Sequence, residues 1–369
     1  MRTISIGLIL AVLAILPACK AKPRTVGTIA PPAALALVVV GDVKVDDSPI
    51  STGARIQGDK WITVGHASFC DLQIRGSESG IVIRLTENSK FRLSSVLKST
   101  VTEHSGELLS GQILVNVRKL GQGEGFKVKT PTAVASVRGT KFDVYVFSDG
   151  KVRTSVFEGT VAVRLSSGSI ENLDPRLLEH SETLRAIVQK LADQETQVEA
   201  GKEAVVAHYV VDAETASTIE EATKISQQTT MTQEQIEKAA AQIDGQLKAK
   251  LDSIEKSVAS TAADVKVEVT QRAPSAADMQ FEEMKPIDVP LTTDETINLE
   301  LDKRNREPVL RQKLFVRIEH VAGGKLDRLV LRNGTVVEGV VKQVIMDYVV
   351  TTPEGVVTVS GDDLKEIHF

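Results

Sequence analysis

The chain has 369 residues, of which 42% are hydrophobic and 4% are aromatic, and its formal net charge is −5. This length is enough for two or three domains, whose cores must be filled mainly by aliphatic side chains because aromatic ones are scarce. The mild negative charge gives no reason to expect a nucleic-acid partner, since nucleic-acid-binding proteins generally present a basic face.

Residues 1–19, MRTISIGLILAVLAILPAC, have the layout of a signal peptide. Arg2 supplies a short positive region and Ile4–Leu16 supplies an apolar one. About a dozen apolar residues are too few for the roughly 20 that span a bilayer as a helix. The end of the segment, LPAC, resembles the lipobox of bacterial lipoproteins. That resemblance implies cleavage before Cys19 and attachment of lipid, including acyl chains such as palmitate, to this residue.

The alternative interpretation is a secretory signal in which Cys19 lies near the cleavage point by chance. Position 20 is Lys rather than Asp, and by analogy with enterobacterial sorting this implies the outer membrane, on its periplasmic or surface face. Residues 20–34 contain three prolines and are expected to form an extended tether. If Cys19 carries lipid, Cys70 has no cysteine in this chain to pair with, so we expect a small buried residue or an intermolecular disulfide.

Short runs of alternating apolar residues follow over 35–165 and predict β-strands with one face turned inward. Leu35–Val40 is apolar throughout, as in a strand that is buried on both faces. The clearest alternation lies in Phe126–Leu165, where Asp149 and Gly150 interrupt it at the place of a hairpin turn. The predicted fold is an all-β sandwich, roll or solenoid.

Part of this stretch, TPTAVASVRGTKFDVYV followed by VFEGTVAV, resembles the FecR domain. That domain is the envelope-side β-fold of iron-uptake anti-sigma regulators and of many exported proteins. The resemblance covers roughly 35–165 and implies structural roles for the motif residues, with Glu158 in a turn and Arg138 facing water or pairing with a carboxylate. The residues that match the motif are Thr130, Pro131, Arg138, Gly139, Thr140, Phe142, Glu158 and Gly159.

Helical periodicity interrupts the strands over 174–197, so a helical insertion is predicted in a β-domain that extends over 35–211. Residues 212–263 are rich in Gln, Glu, Lys and Ala and contain an amphipathic helix, for which Thr232 and Gln235 supply a capping box. This helix either packs on the β-domain of its own chain or pairs with another helix as a coiled coil.

The proline-containing segment 264–308 is predicted to be a linker, with one strand near Ile297–Leu301. A second series of predicted strands lies within 309–369, and its first strand is predicted at Leu314–Ile318. Its order of strands and turns resembles the first half of an Sm-like or SH3-like small β-barrel. RNA binding is not implied, because the basic turn of the RNA-binding Sm proteins is replaced by the acidic segment 359–363.

The sequence contains no motif that predicts catalysis. Its six histidines do not have the spacing of metal ligands, and no phosphate-binding loop, nucleophile elbow or dinucleotide fingerprint is present. We therefore expect a mainly β, multidomain, non-enzymatic lipoprotein of the cell envelope, without cofactor or metal, held to the membrane by its lipid.

The main functional prediction is a module that binds another envelope protein or a glycan. The alternatives are an envelope-side sensory component related to FecR-type signal transduction, and an enzyme such as a glycan hydrolase, which would need two carboxylates in one cleft. The oligomeric state does not follow from the sequence.

Overall fold

The structure, a computed structural model, describes ten segments of the chain. The predictions for the signal peptide, for lipidated Cys19, for most of the tether and for Arg138 lie outside the described residues. The described segments are 33–74, 80–98, 101–118, 125–137, 139–165, 175–193, 195–206, 232–248, 267–287 and 294–368.

Short strands dominate the chain up to Gln271. They are β1 Ala33–Val40, β2 Val43–Val45, β3 Ser48–Pro49, β4 Arg55–Gln57, β5 Trp61–Val64, β6 Phe69–Ile74, β7 Ile81–Leu85, β8 Lys90–Lys98, β9 Val101–Val117, β10 Gly125–Lys129, β11 Ala133–Val137, β12 Lys141–Val146, β13 Val152–Glu158, β14 Thr160–Leu165, β15 Thr196–Glu199, β16 Lys202–Val206 and β17 Glu268–Gln271.

Helices lie between the later strands and after them, and a separate group of strands ends the chain. The helices are α1 Pro175–His180, α2 Glu182–Asp193, α3 Gln233–Lys248, α4 Ala277–Gln280, α5 Asp294–Arg306 and α6 Pro308–Ala322. The final strands are β18 Leu326–Leu331, β19 Val336–Val344, β20 Asp347–Thr352, β21 Gly355–Ser360 and β22 Leu364–His368, with a 3₁₀ turn at Gly361–Asp363.

The first seventeen strands form two sheets that share the long strand β9. Sheet I has the order β4-β1-β6-β7-β9-β12-β13-β16-β17. Sheet II has the order β3-β2-β5-β8-β9-β10-β11-β14-β15. All of these pairs are antiparallel except β9 with β10. Strand β9 pairs in sheet II up to Ser110 and in sheet I from Gly111 onward.

The inward faces of the two sheets pack on each other as a sandwich. Phe91 and Phe126 of sheet II and Phe142 of sheet I are fully buried in one continuous core. These are residues of the predicted alternation, in which every second side chain points inward. The prediction of a mainly β, multidomain fold is confirmed.

The helices α1, α2 and α3 pack against the same core. Leu177, Leu184, Ile236 and Ala240 are buried in it. The helical insertion is therefore confirmed, and the described part of the amphipathic helix packs on its own chain. The predicted capping box is present, because Gln235 accepts the backbone N–H of Thr232 and returns its own N–H to the Thr232 hydroxyl.

The linker prediction for 264–308 is wrong in the described residues. Strand β17 extends sheet I at its edge, and the helices α4, α5 and α6 cover the outer face of that sheet in a second apolar core. Ile297–Leu301 belongs to α5 rather than to a strand. Strand β1, apolar on both faces, lies between β4 and β6 in sheet I and contacts both cores.

The strand predicted at Leu314–Ile318 is also wrong, because these residues lie within α6. A strand period of two and a helix period of 3.6 both place residues 314 and 318 on one face. The residue between them decides: Val316 is 60% exposed, whereas Leu314 and Ile318 are buried. Pro308 at the first helical turn and Gly323 in the left-handed conformation mark the two ends of the helix.

The last strands form an open antiparallel sheet, sheet III, of order β21-β20-β19-β18-β22 around Leu329, Val350 and Val359. In the part of the chain that the structure describes, the edge strands β21 and β22 do not pair with each other. A barrel needs that pairing to close, so the small-barrel prediction is corrected to an open sheet. Across the described segments, no helix combines the length and the apolarity required to cross a membrane.

Candidate functional site

A cleft of about 770 Å³ lies where sheet I meets helix α6. Its walls come from the turns before β6 and after β7, the bend in β9, the β12–β13 hairpin, α4 and the end of α6. This volume is in the range of small-molecule and peptide sites. The polar and aromatic side chains that line it include His66, Gln112, Tyr145, Phe147, Arg317 and His320.

Two turns that line the cleft each contain a residue in the left-handed backbone conformation. Ala67 has φ +50° and Asn88 has φ +57°, a conformation that costs an alanine free energy. The carboxylate of Glu87 stabilises the first turn, because it accepts the backbone N–H of Ala67 at 2.9 Å and pairs with Nδ1 of His66 at 2.9 Å. Backbone in this region often marks a functional site.

An aromatic pair forms another part of the wall. The rings of Tyr145 and Phe147 meet edge to face, with 4.3 Å between centroids, and the guanidinium of Arg153 lies 5.7 Å from each ring. The three side chains support one another through aromatic and cation–π contacts. The wall is therefore a preformed surface on which an apolar or aromatic group can pack.

A buried cluster of charges lies behind this cleft and joins the sandwich to the helical layer. Arg84 of β7 is fully buried and binds Asp71 of β6 through two parallel contacts of 2.7 and 2.9 Å. Its remaining nitrogen, Nη1, contacts the carboxylate of Glu283, just after α4, at 2.5 Å. The Arg84 guanidinium also lies 5.0 Å from the ring centre of Phe69. Such a bidentate, fully satisfied arrangement is what a buried ion pair requires.

Two further arginines from the helical layer contact the same carboxylates. Nη2 of Arg304 lies 3.9 Å from Asp71, and Nη2 of Arg317 lies 3.6 Å from Glu283. Burial lowers the pKa of Arg304 to about 10 and also lowers the pKa of Arg317. Burial acts in the same direction on Arg84, but its two carboxylate partners outweigh it and raise the pKa of Arg84. Three guanidinium groups thus share two carboxylates.

Asp143 of β12 is a separate buried acid beside the cleft. Its carboxylate accepts hydrogen bonds from Nε2 of Gln112 at 2.7 Å and from the backbone N–H of Ser155 at 3.2 Å. Burial raises the pKa of Asp143, and the charge of Arg153 and these hydrogen bonds oppose the increase only in part. The folded protein therefore holds this proton more tightly than the unfolded chain does.

We expect this proton to make the stability depend on pH. Between the unfolded pKa of about 3.9 and the raised pKa of the folded state, the folded protein binds more protons than the unfolded chain, so the contribution of Asp143 to stability falls as pH rises through this window. Asp143→Asn should remove that fall, which urea unfolding midpoints of both proteins across the acidic and neutral range would measure. Asp149→Asn is the control. The hydrogen bond with Lys151 lowers the pKa of Asp149, so the contribution of Asp149 to stability rises with pH, and this variant should remove that rise. Parallel pH curves for wild type and Asp143→Asn would contradict the prediction.

The motif residues predicted from the sequence do not line the cleft. Thr130 and Pro131 form the turn between β10 and β11, where the Thr130 hydroxyl donates to the carbonyl of Ala133 at 2.8 Å and accepts its N–H at 3.0 Å. Phe142 is fully buried in the sandwich core. These three positions contribute to local structure and packing.

The other described motif residues meet at the corner between β12 and the β13–β14 turn. A Cβ at Gly159, which has φ +81°, would lie 2.8 Å from the carbonyl oxygen of Gly139 and 2.7 Å from the Thr140 side chain. Glu158, the last residue of β13 before this turn, pairs with Lys141 at 2.6 Å on the surface. Close approach of two backbones explains why glycine lies here.

The buried charge cluster is not evident from the sequence pattern. Arg84 lies on the same face of β7 as Val82, which is the outer face of sheet I. In the sequence alone, a charged residue at such an alternating position indicates a solvent-facing side chain. The available signal was β1, whose apolar side chains on both faces indicate that sheet I is covered on its outer face too. Cys70 is buried and unpaired, and burial raises the pKa of its thiol. The described segments contain no group of three or more metal-ligating side chains.

One family model matches part of the chain. The family model described as "FecR protein" matches residues 62–162, which run from β5 into β14. No curated protein sequence matches the chain.

Two crystal structures of a proposed anti-sigma factor from Parabacteroides distasonis, at 1.65 and 2.50 Å resolution, are similar to part of the chain. They have 17% and 18% sequence identity, each with a TM-score of 0.28. Each match covers 43% of this chain and 63% or 62% of the crystallised chain, so this chain spans less than two thirds of those proteins. The match of the family model, together with the motif and the strand pattern, shows that this chain contains a FecR domain at residues 62–162.

Proposed function

We propose that this chain is a non-enzymatic regulatory component on the envelope side of a bacterial cell, which binds another envelope protein and responds to its state. The observation that carries the proposal is the FecR match over residues 62–162. The FecR domain is the envelope-side part of iron-uptake anti-sigma regulators, and a sensory role for this chain is the corresponding inference.

We further propose that the chain is anchored by lipid at Cys19, in the outer membrane. The support is the signal-peptide layout of residues 1–19 and the lipobox-like LPAC. Two or three acyl chains hold a protein on a membrane far more firmly than one. Mass spectrometry of the mature protein should find a triacylated or diacylated N-terminal cysteine, and Cys19→Ser should release the protein from membranes. An N-terminus that begins elsewhere without lipid would refute the anchor.

A second candidate function is that of a binding module for a protein or a glycan, without any signalling role. The cleft favours it, because its 770 Å³ and its wall of Tyr145 and Phe147 suit a bound side chain or a sugar ring. The two candidates share the binding step and differ in whether binding changes gene expression.

Transcript profiling separates the two candidates. Deletion of the gene should change a defined set of transcripts, and expression of the intact chain should restore them. An unchanged profile would remove the regulatory proposal and leave the binding module.

Site-specific crosslinking tests the binding step in intact cells. A photoreactive amino acid at Ser148, which is exposed and lines the cleft, should give one crosslinked partner. The matched position is Thr160, which is exposed on β14 and does not line the cleft. Equal products from both positions, or none from Ser148, would contradict binding at the cleft.

A further inference from the structure

The cleft contains a cation whose hydrogen-bonding capacity is only partly used. Arg317 lies on α6, its side chain is 16% exposed, and it lines the cleft. Within the described part of the chain, its Nε is buried and has no hydrogen-bond partner. The ion pair that it makes with Glu283 is long, at 3.6 Å from Nη2. Because Nε is buried, a ligand in the cleft would be bound by the terminal Nη groups, each of which carries two N–H donors.

The two carboxylates of the cluster, Asp71 and Glu283, make their shortest contacts with Arg84. Both oxygens of Asp71 bind Arg84, and Oε2 of Glu283 binds Arg84 at 2.5 Å. With Arg304 counted as well, three positive groups face two negative ones. The cluster therefore carries one surplus positive charge, and Arg317 is the member that reaches the cleft.

The other acids near the cleft already have partners of their own. Glu87 is held by His66 and by the backbone N–H of Ala67. Asp143 accepts from Gln112 and Ser155, and the positive charge of Arg153 acts on it. Neither acid forms an ion pair with Arg317 in the described segments, where its carboxylate partner is Glu283.

We infer that the cleft binds a carboxylate attached to an apolar or aromatic group, with Arg317 as the anchor and Tyr145 and Phe147 as the apolar wall. The planar guanidinium matches the two oxygens of a carboxylate. A single negative charge balances the single surplus positive charge, whereas a phosphate with a charge near −2 would overcompensate it. His320, one turn along the same helix face, lines the cleft beside this anchor.

This inference rests on the proposed function in one respect, namely that the cleft is where a partner binds. The carboxylate can come from the C-terminus of a protein partner or from a small organic acid. Both sources present the same chemistry to Arg317, and the experiment below distinguishes them.

The test uses the purified chain and two probes that differ only in charge, N-acetylphenylalanine and its C-terminal amide. Ligand-observed NMR or calorimetry should show binding of the acid, with the uncharged amide at least about tenfold weaker, since a hydrogen bond to a charged group contributes that much. Arg317→Gln should lower the affinity for the acid to that for the amide, and Arg317→Lys should retain part of the difference.

Arg311→Gln is the matched control, because Arg311 lies on the same helix, pairs with Glu354 and does not line the cleft. It should bind the acid like wild type. Tyr145→Ala should weaken the acid and the amide by similar factors, and this result tests the cleft even if Arg317→Gln does not fold. Equal binding of acid and amide by the wild-type chain, no binding of either, or full binding by a folded Arg317→Gln variant would overturn the inference.

A Gly-Ser peptide that ends in phenylalanine distinguishes the two sources. At least about tenfold tighter binding of this peptide than of N-acetylphenylalanine would assign the carboxylate to a protein C-terminus, and equal binding would assign it to a small acid. Binding by the purified chain together with an unchanged transcript profile would keep this inference and remove the regulatory proposal.

Discussion

Arg84→Met is expected to lower the free energy of unfolding by about 3–5 kcal/mol, the usual effect of removing one partner from a buried ion pair. Methionine preserves most of the side-chain volume but leaves the carboxylates of Asp71 and Glu283 buried without their main partner. The loss arises from the uncompensated charges, since a buried carboxylate without a partner has a large desolvation penalty. Urea unfolding followed by the fluorescence of Trp61, the single tryptophan, would measure it.

The matched control is Arg306→Met, at the end of α5. Arg306 also pairs with an acid, Asp302, at 2.7 Å, but its side chain is 72% exposed. Exposed pairs contribute roughly 0–1 kcal/mol, so this variant should unfold close to wild type. Similar midpoints for the two variants would show that the buried cluster is not a major source of stability.

Arg84→Met should also weaken the contact between sheet I and the helical layer that covers it. Arg84 lies on sheet I, whereas Glu283 belongs to the segment that covers that sheet. Hydrogen exchange in α5 and α6 should therefore increase more than exchange in β12 and β13, because local opening separates the helical layer first. Uniform acceleration in all elements would indicate global destabilisation without selective release of the layer.

Gly111→Ala is expected to cost about 2–5 kcal/mol, as the sum of two effects. The backbone at Gly111 has φ +82°, which costs a residue with a Cβ about 1–2 kcal/mol. The added Cβ would also lie 2.6 Å from Cα of Ser89 and 2.8 Å from the carbonyl oxygen of Asn88, and such overpacking costs about 1–3 kcal/mol. Because the contacts are with backbone atoms, a side-chain rotation cannot relieve them.

Gly111 is also the point at which β9 leaves sheet II and enters sheet I. A shift of its backbone would disturb the pairing of β9 with β8 and with β12 together. The control is Gly125→Ala, where nothing lies within 4 Å of the added Cβ. Urea midpoints and soluble yield should separate the two variants. A Gly111→Ala protein with the midpoint of wild type would refute this account of the bend.

The folded unit is larger than the family match. Strand β1 pairs with β4 and β6 in sheet I and lies outside residues 62–162. Helix α6 and its neighbours bury the outer face of that sheet through Leu314, Phe315 and Ile318. A fragment limited to the family match would expose both the edge of β6 and an apolar sheet face, which makes the whole chain the appropriate material for the experiments above.

Local patterns of residues were sufficient to predict the β-rich fold, the FecR domain and the helical insertion. The signals are local and can be read directly from consecutive residues. They are the apolar alternation of strands, turn residues such as Gly150 and cap residues such as Thr232. Helix α6 was not predicted, because apolar residues at 314 and 318 suit both a strand and a helix. Only the 60% exposure of Val316 distinguishes the helix from the strand.

The candidate site, in contrast, forms only when distant segments of the chain pack together. Asp71, Arg84, Glu283 and Arg317 are separated by up to 246 positions in the chain, and each resembles an ordinary surface charge in its own segment. They become a buried cluster only when the helical layer covers sheet I and removes water from that face. The cluster therefore depends on burial, which is a property of the assembled layers that no local pattern of the sequence contains.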